Sequence, residues 1–186
     1  MTTISADYKK QLQQMHQEQD SWGTTAEIAG ASSVLRIAQE NNLTDVLDYG
    51  CGKGYLKQGL TGLGVKEYDP GIPGKDEVPA PRELVACIDV LEHIEPEYID
   101  AVLQDLARVT LKKGLFLISL IPAQAILPDG RNAHILLKSP EWWHSEVGKY
   151  FKVDNATVFS LANPPTAYYD LKKYPYHSIQ IEVSNK

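Results

Sequence analysis

Apolar residues enter this chain at helical spacing. Ile4, Tyr8, Leu12 and Met15 stand three or four apart in a Gln-, Lys- and Glu-rich stretch over 4–20, which predicts a helix with one thin apolar stripe. Ser21, Trp22 and Gly23 break it. Thr24, with Glu27 three residues on, is a capping-box pattern that opens a second helix; Ile28, Ala31, Leu35 and Ala38 mark its inward face, and Asn41 and Asn42 end it. Beyond it the period shortens. Residues 44–49 and 83–89 read as short apolar strands, 65–68 as a further strand, and 114–121 as a near-continuous apolar run, the pattern of a strand covered on both faces. Helices are predicted between them at 55–63 and from Pro96, where a proline in the first turn costs no hydrogen bond and Ile99, Val102, Leu103 and Leu106 face inward. The stretch 71–81 holds three prolines and two glycines and reads as a loop, and Pro128-Asp129-Gly130 reads as a turn. A helix over 140–150 precedes two alternating strands, 153–161 and 176–183, around a Pro- and Tyr-rich loop at 163–175.

Strand–helix alternation with apolar strands means an α/β chain: one doubly wound, mostly parallel sheet. The last two strands have no helix between them, so they are expected as an antiparallel pair at one edge. The whole of 1–186 is expected to be a single domain, with 1–23 as an N-terminal helical lid and 24–186 as the core. Hydrophobic residues at 43% and charged residues at 23% are ordinary for a globular chain and exclude a disordered one. No apolar run reaches about 18 residues, so no membrane span is expected, and the polar start has no secretory stretch. Eighteen basic residues against 24 acidic leave a net charge of −6, which argues against a general binder of nucleic acid backbone. Two cysteines make no disulfide framework, and the expected location is a reducing cytoplasm.

The informative stretch is Val46-Leu47-Asp48-Tyr49-Gly50-Cys51-Gly52-Lys53-Gly54, a strand that runs into three alternating glycines and then a helix. Glycines there let the backbone turn sharply and approach a ligand, and the helix offers its first N–H groups to an anion. Nineteen residues after Gly50, Asp69 closes the second strand, where an acid reaches ribose hydroxyls. A dinucleotide loop would carry its third glycine at position 55, where Tyr55 stands. A phosphate loop would follow Lys53 with Ser or Thr, where Gly54 stands. Asp48 would repel a pyrophosphate and attract an ammonium. The stretch resembles the first motif of the class I S-adenosylmethionine-dependent methyltransferases, hydrophobic-hydrophobic-Asp-x-Gly-x-Gly-x-Gly. The resemblance spans about 34–159 and implies their Rossmann-like fold. It implies that Asp48 holds the methionine ammonium, that Gly50, Cys51, Gly52 and Tyr55 line the cofactor, that Asp69 and Pro70 meet the ribose, and that Asp89 and Val90 complete the site. One departure stands out: 71–81 is too short for the family's third strand and helix, so Ile72 and Asp76 are the only residues it offers the adenine.

A second constellation follows the third strand: Asp89-Val90-Leu91-Glu92-His93, joined by His134 beyond the fourth. This run resembles the post-strand motif of many class I methyltransferases, including O-methyltransferases of quinone biosynthesis and enzymes that methylate RNA 3′ ends at the ribose 2′-oxygen. That resemblance implies Glu92, His93 and His134, with Asp89, as ligands of a divalent cation, Mg²⁺ or Mn²⁺. The same motif occurs in methyltransferases without metal, where His93 or His134 becomes a candidate general base because imidazole titrates near neutrality. Arg131 is a candidate clamp for an acidic substrate group or a surface turn residue. Trp22 is a candidate cover for the cofactor, and one of Trp142 and Trp143 a candidate pocket wall. Neither Cys51 nor Cys87 has a basic sequence neighbour that would make it a nucleophile.

The function expected is methyl transfer from S-adenosylmethionine to an oxygen or nitrogen of a small molecule. Two alternatives stand beside it: a Mg²⁺- or Mn²⁺-dependent RNA 2′-O-methyltransferase, and a cofactor-binding module without catalysis. Asp48 and the glycine spacing disfavour a nicotinamide enzyme.

Overall fold

The computed structural model describes residues 2–24, 26–160 and 174–186. The elements run α1 (Ala6–Glu18), α2 (Ala26–Glu40), β1 (Asp45–Tyr49), α3 (Tyr55–Gly59), β2 (Gly64–Tyr68), β3 (Arg82–Ile88), α4 (Ile99–Val109), β4 (Thr110–Ser119), α5 (Pro140–Tyr150), β5 (Lys152–Ser160) and β6 (Tyr176–Ser184). They build one six-stranded sheet in the order β2-β1-β3-β4-β6-β5. The first four strands are mutually parallel, and β6 is antiparallel to both β4 and β5. The α/β fold, the mostly parallel sheet and the antiparallel edge pair are all as the sequence predicts.

Strand alternation divides the core. Leu47, Tyr49, Val85, Cys87, Phe116 and Ile118 face α4 and α5, where Trp143 is fully buried. Val46, Leu84, Ala86, Ile88 and Leu115 face α2 and α3. The helix α2 turns Val34, Ile37 and Ala38 inward, and Leu35, expected on that seam, is only partly buried. It lies tight on β3: a Cβ on Gly30 would stand 2.2 Å from Ile88 Cδ1. All parallel strands end at one edge, so the loops after β1, β2 and β3 meet there, in the crevice where α/β sheets hold ligands. The helix α1 crosses this edge with Tyr8 buried beside Leu127 and Ala133.

Several boundaries move for tertiary reasons. The helix predicted from Pro96 begins at Ile99, because Leu91–His93 forms a 3₁₀ turn and Tyr98 N donates to Glu95 O at 2.8 Å. The strand β4 starts at Thr110, directly at the end of α4, through a polar stretch that ion pairs hold in the sheet: Lys112 to Glu83 at 2.7 Å and Lys113 to Asp154 at 2.8 Å. The helix α3 stops at Gly59 instead of running to 63. Between β2 and β3 no strand is formed, in keeping with the Pro-rich stretch 71–81. The Glu27 side chain of the expected capping box and the bulk of the 163–175 loop lie outside what is described. No described helix is long and apolar enough to cross a membrane.

Candidate active site

The loop after β1 takes the shape its glycines permit. Gly50, Gly52 and Gly54 have φ of +79°, +51° and +83°, a region that favours glycine. The N–H groups of Gly50 and Cys51 both donate to Tyr68 O, at 2.8 and 3.0 Å, which folds the loop over the end of β2. A Cβ on Gly50 would stand 2.3 Å from Val90 Cγ2. Asp69 braces the loop from the other side. Its Oδ2 accepts from Gly52 N at 2.9 Å and its Oδ1 from Gly71 N at 2.8 Å. Each carboxylate oxygen keeps a second lone pair, so Asp69 can still accept ribose hydroxyls.

Asp48 lies beneath this loop, 1% exposed, with its Oδ2 buried and without a partner. Burial first, then the charge of Glu67, lifts its pKa to about 7. The folded chain therefore holds a proton there that the unfolded chain releases near pH 4. Any stability this group lends is complete below that pH and is lost as pH rises towards 7. Asp48→Asn is thus expected to raise the stability of the ligand-free protein, by about 1–3 kcal/mol at pH 8 and by less at pH 5. Thermal melts of both proteins at the two pH values check this; an equal or lower melting temperature at pH 8 contradicts it.

Past β3, Asp89 takes a left-handed φ of +58°, unusual for a residue other than glycine. The 3₁₀ turn that follows points His93 into the crevice and Glu92 into the core. His93 Nδ1 lies 2.9 Å from Ala133 O, and His134 Nδ1 lies 2.6 Å from Ile121 O. A carbonyl only accepts, so each Nδ1 carries the proton and each neutral ring keeps its Nε2 lone pair free. The two rings stand edge to face, 4.6 Å apart. Burial, then the neighbouring His134, holds the His93 pKa below its ordinary value, so the ring is neutral near pH 7. One donor atom each from Asp89, His93 and His134 lies within 4.8 Å of the others.

Glu92, expected among the ligands, is not in that group. Its Oε1 accepts from Ser119 N and its backbone O from Leu136 N at 2.9 Å, so it clamps the end of β4 to the loop before α5. Full burial and then Asp89 raise its pKa well above the usual carboxylate range.

A cavity of about 770 Å³ joins the glycine loop to the two histidines, and α1 roofs it. The roof is pinned at four points. Ser5 donates through N and Oγ to Glu95 at 2.9 and 2.7 Å, Tyr8 Oη donates to His93 O at 2.8 Å, and Lys9 pairs with Asp76 at 3.0 Å. Lys53 N donates to Gly23 O at 3.0 Å, and its Nζ donates to the carbonyls of Gln19 and Asp20. Trp22 meets the His93 ring at 5.3 Å and the His16 ring at 6.3 Å.

Solved structures share this arrangement of elements. A 1,6-didemethyltoxoflavin-N1-methyltransferase from Burkholderia thailandensis, bound to 1,6-didemethyltoxoflavin and S-adenosylhomocysteine, aligns over 100% of this chain and 93% of its own with a TM-score of 0.64 and 17% identity. The N-methyltransferase NodS from Bradyrhizobium japonicum, in complex with S-adenosylhomocysteine, aligns over 95% and 98% with a TM-score of 0.63 and 10% identity. A magnesium protoporphyrin IX methyltransferase from Synechocystis, with bound S-adenosylhomocysteine, aligns over 100% and 90% with a TM-score of 0.56 and 15% identity. The fold is that of the class I S-adenosylmethionine-dependent methyltransferases. By sequence, no protein-family model and no curated protein matches the chain.

Within this methyltransferase fold the expected cofactor residues divide. Gly50, Gly52, Asp69, Pro70, Asp89 and Val90 line the cavity, as do His93 and His134. Asp48, Cys51 and Tyr55 do not: Asp48 and Cys51 are buried behind the loop, and Tyr55 opens α3. Asp76 is taken by Lys9, and Ile72 borders a separate hollow of about 310 Å³. Arg131, the candidate clamp, pairs with Asp129 at 2.7 Å and covers the ring of Tyr8, outside the cavity lining. Trp142 packs against Lys138 and Trp143, also away from it. Sequence reasoning missed His16, whose Nε2 stands 3.9 Å from Asp69, and Glu95, which latches the roof. The signal for His16 was the helical spacing of α1, on which it follows Leu12 by four residues; Glu95, between the 3₁₀ turn and α4, had none.

Proposed function

We propose that this chain transfers a methyl group from S-adenosylmethionine to an oxygen or nitrogen of a small molecule. The observation that carries the reading is one cavity with an Asp69-braced glycine loop at one end and two free imidazole Nε2 atoms at the other. The residues fit the cofactor: glycines leave room where a Cβ would collide, Asp69 keeps lone pairs for hydroxyls, and Asp48 holds an unpaired buried oxygen under the loop. The cofactor supplies an electrophilic methyl on a sulfonium. The chain's own work is alignment and proton removal, and alignment carries most of the rate in such transfers. With the cofactor bound, an acceptor oxygen or nitrogen would take the methyl carbon as the carbon–sulfur bond broke toward sulfur, and His93 or His134 would take the acceptor's proton. That the Burkholderia neighbour holds 1,6-didemethyltoxoflavin supports a small-molecule acceptor. Methyl-labelled S-adenosylmethionine incubated with the protein and a metabolite extract is expected to label the small-molecule fraction. Label in RNA would move the acceptor class, and cofactor binding without any turnover would leave a binding module.

A divalent cation is a second reading, favoured by the convergence of Asp89, His93 and His134. Two imidazoles and one carboxylate suit Mn²⁺ or Zn²⁺ better than Mg²⁺, which prefers oxygen ligands. There the cation would orient and acidify the acceptor hydroxyl. The base reading expects turnover to survive dialysis against a chelator; loss restored by Mn²⁺ selects the cation.

Residues 1–23 are the lid in this proposal. A Cβ on Gly52 would stand 2.5 Å from Gly23 O, so Gly52→Ala pushes the lid's hinge off the loop and breaks the Lys53–Gly23 bond. The expected result is faster amide hydrogen exchange across α1 with unchanged protection in β1 and β3. Equal protection of α1 in both proteins contradicts the hinge.

A further inference from the structure

We propose that the methyl acceptor is a flat, uncharged ring compound carrying an N–H or O–H group, a conclusion that rests on the methyltransferase reading. Charge comes first. Among the described residues, no lysine or arginine lines the cavity, whereas Asp69, Asp89 and Glu95 do. Three described cations that do not line it are already engaged. Arg131 pairs with Asp129, Lys75 with Glu67 at 3.0 Å, and Lys53 holds the carbonyls of Gln19 and Asp20. A carboxylate or phosphate entering here would lose its hydration without gaining a counterion, and the single sulfonium is outnumbered by Asp89 and Glu95.

Shape follows from the rings. Trp22, His93 and His134 stand in series at 5.3 and 4.6 Å, each nearly perpendicular to the next, so the wall between roof and floor is built of aromatic edges and faces. Phe159 and His177 add two more rings from the β5–β6 edge. Such walls favour a planar partner, which stacks or meets them edge to face. The free Nε2 atoms set the last requirement. Both Nδ1 atoms are committed to carbonyls, so an N–H or O–H on the acceptor is what the two open lone pairs can hold. A protonated amine has no lone pair to attack a methyl group, so the group that reacts is a neutral N–H or O–H.

The test uses the full chain saturated with S-adenosylhomocysteine and four coumarin probes, titrated by calorimetry: umbelliferone, its methyl ether, a carboxylated analogue and an aminomethyl analogue. Umbelliferone is expected to bind about tenfold tighter than its carboxylate, and the methyl ether, with no proton for the histidines, about tenfold weaker than umbelliferone. Gln124 is exposed and lines the cavity, so Gln124→Arg supplies the missing cation without touching the core. In that variant the carboxylate is expected to gain about tenfold relative to umbelliferone. Tighter wild-type binding of the carboxylate or the aminomethyl probe overturns the proposal, as does failure of every probe to bind the loaded protein. A protein that takes up no S-adenosylhomocysteine in the first titration fails the methyltransferase reading instead, so the two failures are told apart.

Discussion

Replacing Asp69 with alanine is expected to weaken S-adenosylhomocysteine binding about a hundredfold or more. Two effects add. The hydroxyls of the ribose lose a charged acceptor, which by itself costs about 1.5–3 kcal/mol. The N–H groups of Gly52 and Gly71, now held at 2.9 and 2.8 Å by the two carboxylate oxygens, lose their partner as well. The loop at +51° then keeps only the Tyr68 carbonyl as its brace from β2, and more of its ordering falls to the ligand. Asp69→Asn keeps one acceptor oxygen and is expected to fall between wild type and alanine. Asp48→Asn is expected to cost less than either, because Asp48 lies behind the loop and not on the cavity wall. Calorimetry on the three variants gives the order; a loss at Asp48 exceeding that at Asp69 contradicts it.

Turnover is expected to fall by about 10²–10⁴ in His93→Asn with S-adenosylhomocysteine affinity unchanged. Asparagine can still donate to Ala133 O from its amide, so the loop bond survives while the base is gone. The pH profile separates a base from a structural part. The active form of His93 is neutral, so the rate falls as pH drops through its pKa. Burial and His134 hold that pKa below the ordinary value of about 6.5, so the wild-type acid limb lies on the acidic side of it. In His134→Ala one of those two causes is removed, and the remaining activity is expected to lose rate at a higher pH than wild type does. In His93→Asn the limb is expected to vanish. An acid limb that stays in place in both variants assigns the proton to another group.

The centre of the sheet was legible because the buried parts of β3 and β4 read as apolar runs, and helices with one buried face as three-and-four spacing. The start of β4 was not, since Lys112 and Lys113 sit in it only through partners on other strands. The glycine loop announced itself by spacing, yet only the fold shows Asp69 as its brace. The second constellation was half legible. In the sequence Glu92 and His93 are neighbours, but a 3₁₀ turn sets successive side chains about 120° apart, so Glu92 enters the core while His93 enters the cavity. Asp89 belongs with the histidines through a left-handed backbone that no residue pattern advertises. Arg131 looked available to a substrate and is spent on its own turn, two residues from Asp129.

Calorimetric titration of the purified chain with S-adenosylhomocysteine and, separately, with NAD tests the central claim most directly. The account predicts one micromolar site for S-adenosylhomocysteine and no heat from NAD. Tight binding of NAD, with no response to S-adenosylhomocysteine, would contradict it.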